Sequence, residues 1–132
     1  MNAPLPTAAP SPQERAARQD QVVQALLQVL PARALLWHTE DTTPYECDGL
    51  TAYRQRALAV CLPETEAQVQ AVLRTCHRLG VPVVARGTGT GLSGGAMPHA
   101  MGVILSLARF NRILAIDPDS RTARVQCGVR NL

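Results

Sequence analysis

Val81-Pro82-Val83-Val84-Ala85-Arg86-Gly87-Thr88-Gly89-Thr90-Gly91-Leu92-Ser93-Gly94-Gly95 decides the reading of this chain. Its first five residues are a short β-branched run that suits a buried strand. The strand runs directly into five glycines at positions 87, 89, 91, 94 and 95. Glycine lets a backbone approach a ligand closely and adopt positive φ, so that successive N–H groups turn inward around an anion. Thr88, Thr90 and Ser93 add hydroxyl donors, and Arg86 adds a positive charge whose alternative use is a structural ion pair. The stretch reads as a cradle for a phosphate-bearing ligand.

Two familiar phosphate loops do not fit. All 13 basic residues are Arg, so the Lys of a Walker loop is missing. Gly89-Thr90-Gly91-Leu92-Ser93-Gly94 matches G-x-G-x-x-G, but a Rossmann loop must open a helix. Here Gly95, Pro98 and Gly102 follow closely, which disfavours a long helix. A flexible connector without a ligand is the bland alternative.

Upstream, Ala57–Leu62 is an apolar run that ends at Pro63. Thr65-Glu66-Ala67-Gln68 then reads as a capping box. Val69, Val72, Leu73, Cys76 and Leu79 form a helical stripe, and Gly80 suits the residue just past the helix end. Strand, helix and strand make a βαβ crossover with parallel strands. Downstream, Gly102–Leu107 is a further strand, and 113–116 and 122–126 flank the turn Asp117-Pro118-Asp119-Ser120 as a hairpin. The expected class is α+β with a mixed sheet.

Residues 1–10 are rich in Pro and Ala and are expected to form a disordered tail. Residues 11–34 read as a helical segment: Ser11 caps it, Pro12 opens it, Glu14 completes a capping box and Pro31 ends it. Val22, Val23, Leu26, Leu27 and Leu30 give it an apolar face, packed either on this domain or on a partner. Residues 31–56 read as irregular with turns, and Glu40-Asp41 as a solvated pair.

The 132 residues are 46% hydrophobic and 17% charged, ordinary values for one globular domain. The net charge of +3 is dispersed and aromatics are only 3%, so no nucleic-acid surface is expected. Cys47, Cys61, Cys76 and Cys127 match no metal motif, and Cys61 and Cys76 read as buried hydrophobes. His38, His77 and His99 form no ligand or triad pattern. No catalytic residue and no metal site is assigned. The N-terminus is unlike a signal peptide, and no apolar run is long enough to span a bilayer, so a cytoplasmic chain is expected.

The segments Leu62-Pro63-Glu64-Thr65-Glu66, Val81 to Gly87 and Gly89 to Ala96 resemble the FAD-binding domain of FAD-linked oxidases, the p-cresol methylhydroxylase or vanillyl-alcohol oxidase fold. Thr43 to Arg54 and Leu107 to Leu114 are similar to its glycolate oxidase and D-lactate dehydrogenase branch. The likeness covers residues 35–132 as a partial FAD-binding domain. It implies that Arg86, Gly87, Thr88, Gly89, Thr90, Gly91, Ser93 and Gly94 hold the FAD pyrophosphate, largely by main-chain amides. Pro63 would lie near the adenine side, and Gly128 and Val129 would form a turn that approaches the nucleotide. Cys127 departs from the Pro usual in that turn. Thr90 stands where some relatives carry a His that bonds FAD, which implies noncovalent FAD.

The implied chemistry is oxidation of a small 2-hydroxy acid, glycolate or D-lactate. Implied partners are other subunits of a glycolate oxidase complex, including an iron–sulfur subunit, with peripheral attachment to the inner membrane through them as an alternative to a free cytoplasmic state. The resemblance also implies an N-terminal fragment, inactive alone, with substrate-binding and catalytic groups further downstream. Two other readings stay open: a non-catalytic module that binds a nucleotide or a partner, and another flavoenzyme of this fold, such as an alcohol oxidase or a cell-wall precursor reductase.

Overall fold

The computed structural model describes residues 9–130; most of the expected tail (1–8) lies outside the described residues. Helix α1 spans Pro12–Leu27. Its capping box forms as read: the Ser11 hydroxyl accepts from the Glu14 N–H at 3.2 Å, and the Glu14 carboxylate accepts from the Ser11 N–H at 2.8 Å. Those bonds lower the Glu14 pKa. Val22, Val23 and Leu26 are buried in the chain's own core, which removes this face as a free docking surface. Polar side chains fix the helix further. Gln19 donates to the Leu58 carbonyl at 2.7 Å and Arg15 to the Ala57 carbonyl at 2.8 Å.

Between residues 31 and 56 the chain is more ordered than expected. A 3-10 turn at Ala32–Ala34 leads into β1 (Leu35–Leu36), and a short helix α2 (Thr39–Thr42) continues into a second 3-10 turn, Thr43–Tyr45. Strand β2 is Ala59–Cys61 and helix α3 is Glu66–Leu79. The Thr65 hydroxyl accepts from the Gln68 N–H, but the Gln68 side chain accepts from Glu64 N–H at 2.7 Å rather than completing the box on Thr65. Gly80, at φ 62°, ends α3 in the left-handed conformation. Leu73 departs from the expected stripe: it is 45% exposed, and Thr75 is buried instead.

Strands β3 (Val83–Arg86) and β4 (Val103–Ser106) complete a four-stranded mixed sheet of order β1-β2-β4-β3. β2, β4 and β3 run parallel, and β1 pairs antiparallel to β2. The crossover from β2 through α3 to β3 therefore skips a position, which β4 fills. Alternation along the strands splits the core. Ala59, Cys61, Val103 and Leu105 face α1 and α3, together with Leu58, Val72 and Cys76. Val60, Leu62 and Ile104 face the other way, against Tyr45, Leu36 and Val84. Burying each such aliphatic side chain stabilises by about 1.5–3 kcal/mol.

β5 (Ile113–Asp117) and β6 (Thr122–Val125) form the expected hairpin, but as a separate two-stranded sheet rather than as part of the mixed one. Every residue of both strands is exposed, including Ile113, Leu114, Ile116 and Val125. The Asp117 carboxylate accepts from the N–H groups of Asp119 and Ser120 to shape the turn. No helix among the described residues is long and apolar enough to cross a membrane.

Candidate functional site

Parallel strands point their C-terminal ends one way, and ligands of open α/β sheets gather beyond those ends. Three groups of expected site residues meet at this edge. Pro63 follows β2 and is fully buried. The glycine loop follows β3 and continues to β4 without a helix, as the Rossmann exclusion required. Gly128 docks on the turn after β4: its N–H donates to the Phe110 carbonyl at 2.8 Å, and a Cβ there would lie 2.2 Å from the Leu107 carbonyl oxygen. Val129 is half-buried beside it.

The five glycines of the loop divide by cause. Gly89 and Gly94 adopt positive φ, at 74° and 73°, where side chains are strained. Gly87, Gly91 and Gly95 do not, and a Cβ on any of them would meet nothing within 4 Å. Neither backbone conformation nor internal packing requires glycine at those three positions. The space beside these three positions is open, which leaves room along the loop for a group the size of a diphosphate. Thr88, Thr90 and Ser93 are exposed along it, with the Thr88 and Thr90 hydroxyls 3.1 Å apart.

Among the described residues, Arg86 does not form the ion pair that was its alternative use. Its position in β3 puts it on the sheet face of Val84, toward Tyr45. The side chain is 8% exposed, donates to the Cys47 carbonyl at 2.7 Å and lies 5.4 Å from the Tyr45 ring centroid. No acidic partner within ion-pair distance occurs among the described residues. The segment Tyr45–Leu50 thus lies against the loop, and the Gly49 N–H donates to the Gly91 carbonyl at 2.8 Å. Reading along the sequence missed this segment as a structural part of the site; its contacts with the loop span about forty residues and leave no local signal. Asp48 is buried there, with Oδ1 accepting from the Leu50 N–H at 2.8 Å and Oδ2 without a partner among the described residues.

A further cluster ties the strand ends together. Glu64, after β2, pairs with Arg109, after β4, at 2.5 Å and with Arg33 at 3.0 Å. The hydrogen bond from Arg33, reinforced by the charges of both arginines, holds the Glu64 carboxyl below its ordinary range despite some desolvation. Beside this cluster an apolar cleft of about 470 Å³ opens between α3 and the hairpin, lined by Val69, Leu107, Phe110, Leu114, Val125 and Cys127 among others. Its apolar walls are unsuited to phosphate. Among the described residues no group of His, Cys, Asp and Glu side chains is placed to hold a metal.

The FAD binding domain family matches residues 57–132, more than half of the chain. Glycolate oxidase subunit GlcD of Escherichia coli K12 is 58% identical over 111 residues, which are 84% of this chain and 22% of that protein. A D-lactate dehydrogenase of Anaerostipes hadrus is 29% identical over 83% of this chain and 23% of its own length. Among solved structures, p-cresol methylhydroxylase with substrate bound superposes with a TM-score of 0.73 at 26% identity, over 86% of this chain and 23% of that one. The chain spans about a fifth of the length of these relatives. With a family model matched over more than half of its length and a p-cresol methylhydroxylase superposing on its fold, the chain belongs to the FAD-binding domain family of the p-cresol methylhydroxylase-type FAD-linked oxidases.

Proposed function

We propose that this chain forms the pyrophosphate-holding part of the FAD site in a flavin-dependent 2-hydroxy-acid oxidoreductase acting on glycolate or D-lactate. The observation that carries the reading is the trio Gly87, Gly91 and Gly95, open on the side where a Cβ would stand. The likeness to glycolate oxidase and D-lactate dehydrogenase supports the substrate class. FAD, when bound, supplies the acceptor for the two electrons that leave a 2-hydroxy acid as hydride on its oxidation to the 2-oxo acid.

The chain's own part is binding. Main-chain amides from Arg86 to Gly94 surround the diphosphate, where charge-assisted hydrogen bonds are shorter and stronger than neutral ones. Pro63 shapes the adenine side from within the core, and Gly128 and Val129 close on the nucleotide from the turn after β6. FAD is held noncovalently, because Thr90 offers no imidazole for a bond to the ring. Other subunits, one of them carrying an iron–sulfur cluster, take the electrons onward; the E. coli relative is itself named a subunit. The assembly is cytoplasmic or lies on the inner membrane through its partners.

A flavin-fluorescence titration of the chain tests the reading. Saturable FAD binding in the micromolar range is expected, all of it released by acid precipitation. Absence of saturable binding by the folded chain would sink the proposal. No oxidation of glycolate or D-lactate by the chain alone is expected, because the substrate groups belong to the remaining four-fifths of the relatives' length.

A further inference from the structure

Two kinds of glycine meet around Arg86, and their difference assigns a role to that side chain. Gly87, Gly91 and Gly95 face open space. Gly89 and Gly49 do the opposite. A Cβ on Gly89 would lie 2.1 to 2.7 Å from the Nη2, Cζ and Nε atoms of Arg86, so the loop backbone rests directly on the guanidinium. A Cβ on Gly49 would lie 2.8 Å from the Thr90 carbonyl oxygen, 2.9 Å from that of Gly91 and 2.9 Å from the Leu92 side chain. The segment Tyr45–Leu50 and the loop are thus in backbone contact, one glycine from each side, with the Arg86 guanidinium held among Gly89, the Tyr45 ring and the Cys47 carbonyl. The segment is itself fixed: Gln55 N–H donates to the Glu46 carbonyl at 2.8 Å, and Arg56 pairs with the Glu46 carboxylate at 3.2 Å.

We infer that Arg86 is a positioning residue that pins the strap Tyr45–Leu50 against the glycine loop and so presets the loop's shape, and that its charge is not what the phosphates read. The strap precedes residues 57–132, the part that the family model matches, and lies within the stretch Thr43 to Arg54 whose likeness was noted from sequence without a role in the site. A planar guanidinium suits this place because it donates in its own plane, to Cys47, and presents flat faces to a backbone and a ring. The ammonium of a lysine has neither property. The inference rests on the FAD reading proposed above, but the shape of the loop can be measured without ligand.

The test compares Arg86→Lys with Arg86→Gln in the 132-residue chain, each checked for folding by circular dichroism. FAD affinity is read by fluorescence titration at low and high salt, and hydrogen exchange of the Gly49 amide is read by NMR without ligand. Expected is a loss of affinity of about tenfold or more in both variants, the scale of one lost charge-assisted hydrogen bond. The salt dependence stays that of the parent chain, and Gly49 exchange is faster in both. Gly49→Ala, which crowds the strap from the other side and leaves Arg86 in place, is expected to lose affinity similarly. Lysine restoring the affinity, glutamine alone losing it with a flatter salt dependence, would mean that Arg86 acts by charge and would overturn the inference. So would unchanged Gly49 protection in both Arg86 variants. A parent chain that binds no FAD defeats the FAD reading alone, since Gly49 exchange still decides whether Arg86 is the pin.

Discussion

Gly91→Ala separates the needs of the fold from those of the ligand. Gly91 is not at positive φ, and its Cβ would meet no atom within 4 Å. The folded chain accommodates the methyl group without a clash, while the unfolded chain loses backbone freedom. Such a change stabilises by about 0.4–1 kcal/mol. For a domain of this size that is a rise in melting temperature of about 2–4 °C. Binding should move the other way. On the proposed FAD reading the methyl group stands in the space that the diphosphate needs, and displacing the phosphates loses one charge-assisted hydrogen bond, worth about 1.5–3 kcal/mol. FAD affinity should fall by about tenfold to about 150-fold. Differential scanning fluorimetry of the apo chain and a flavin titration read the two effects separately. A destabilised variant, or one that binds FAD as well as the parent, would refute the assignment of Gly91 to the ligand. Gly89→Ala is the contrast: strained φ and the Arg86 clash make it unfavourable for the fold itself.

Other consequences are as direct. Leu58, fully buried between α1 and the sheet, should cost about 2–5 kcal/mol on replacement by Ala, read as a lower urea midpoint with little change in slope. Glu64 has a lowered folded-state pKa, so its contribution to stability is present above the ordinary carboxylate range and lost as pH falls through the lowered value. Glu64→Gln should therefore flatten the acid limb of a stability profile below about pH 4.5 and be felt fully at pH 7. Burial raises the Cys61 thiol pKa strongly and pushes that of Cys76 up to about 11. At pH 8 an alkylating reagent should label exposed Cys127 first and leave Cys61 and Cys76 unmodified until urea is added, which peptide mass mapping would reveal.

Signals a few residues long were legible in the sequence. Ser11 with Glu14, Thr65 and Gly80 all act where their local chemistry places them, and the glycine-rich stretch forms a helix-free loop after β3. Features made by distant contacts were not. β1 is only Leu35–Leu36, and two apolar residues have no period. The place of β4 between β2 and β3 depends on which strands share an edge, and alternation within one strand does not record that. Leu73 fits the helical stripe, yet the covered face of α3 runs through Val69, Val72, Thr75, Cys76 and Leu79 and leaves Leu73 beside it. The hairpin pattern was read correctly as to pairing, but its apolar residues do not join the mixed sheet. At the site, the openness of Gly87, Gly91 and Gly95 and the pin at Arg86 follow from three-dimensional contact. Composition equates all five loop glycines; geometry sorts them.

The place of β4 also bears on how the chain acquires its fold. β2 and β3 share no edge; only β4, the last strand of the sheet to be synthesised, joins them. Until residues 103–106 have emerged from the ribosome, β3 has no neighbour to zip onto. The final closure must bring the whole of segment 87–102 back on itself, and the ends of a glycine-rich segment are expensive in entropy to hold together. A dinucleotide that gathers the loop amides would favour that closure, since a ligand bound only by the native state stabilises it by mass action. The cofactor would then serve the newborn chain as an assembly aid before it serves any redox step, and flavin-starved cells should accumulate this polypeptide in a protease-sensitive form.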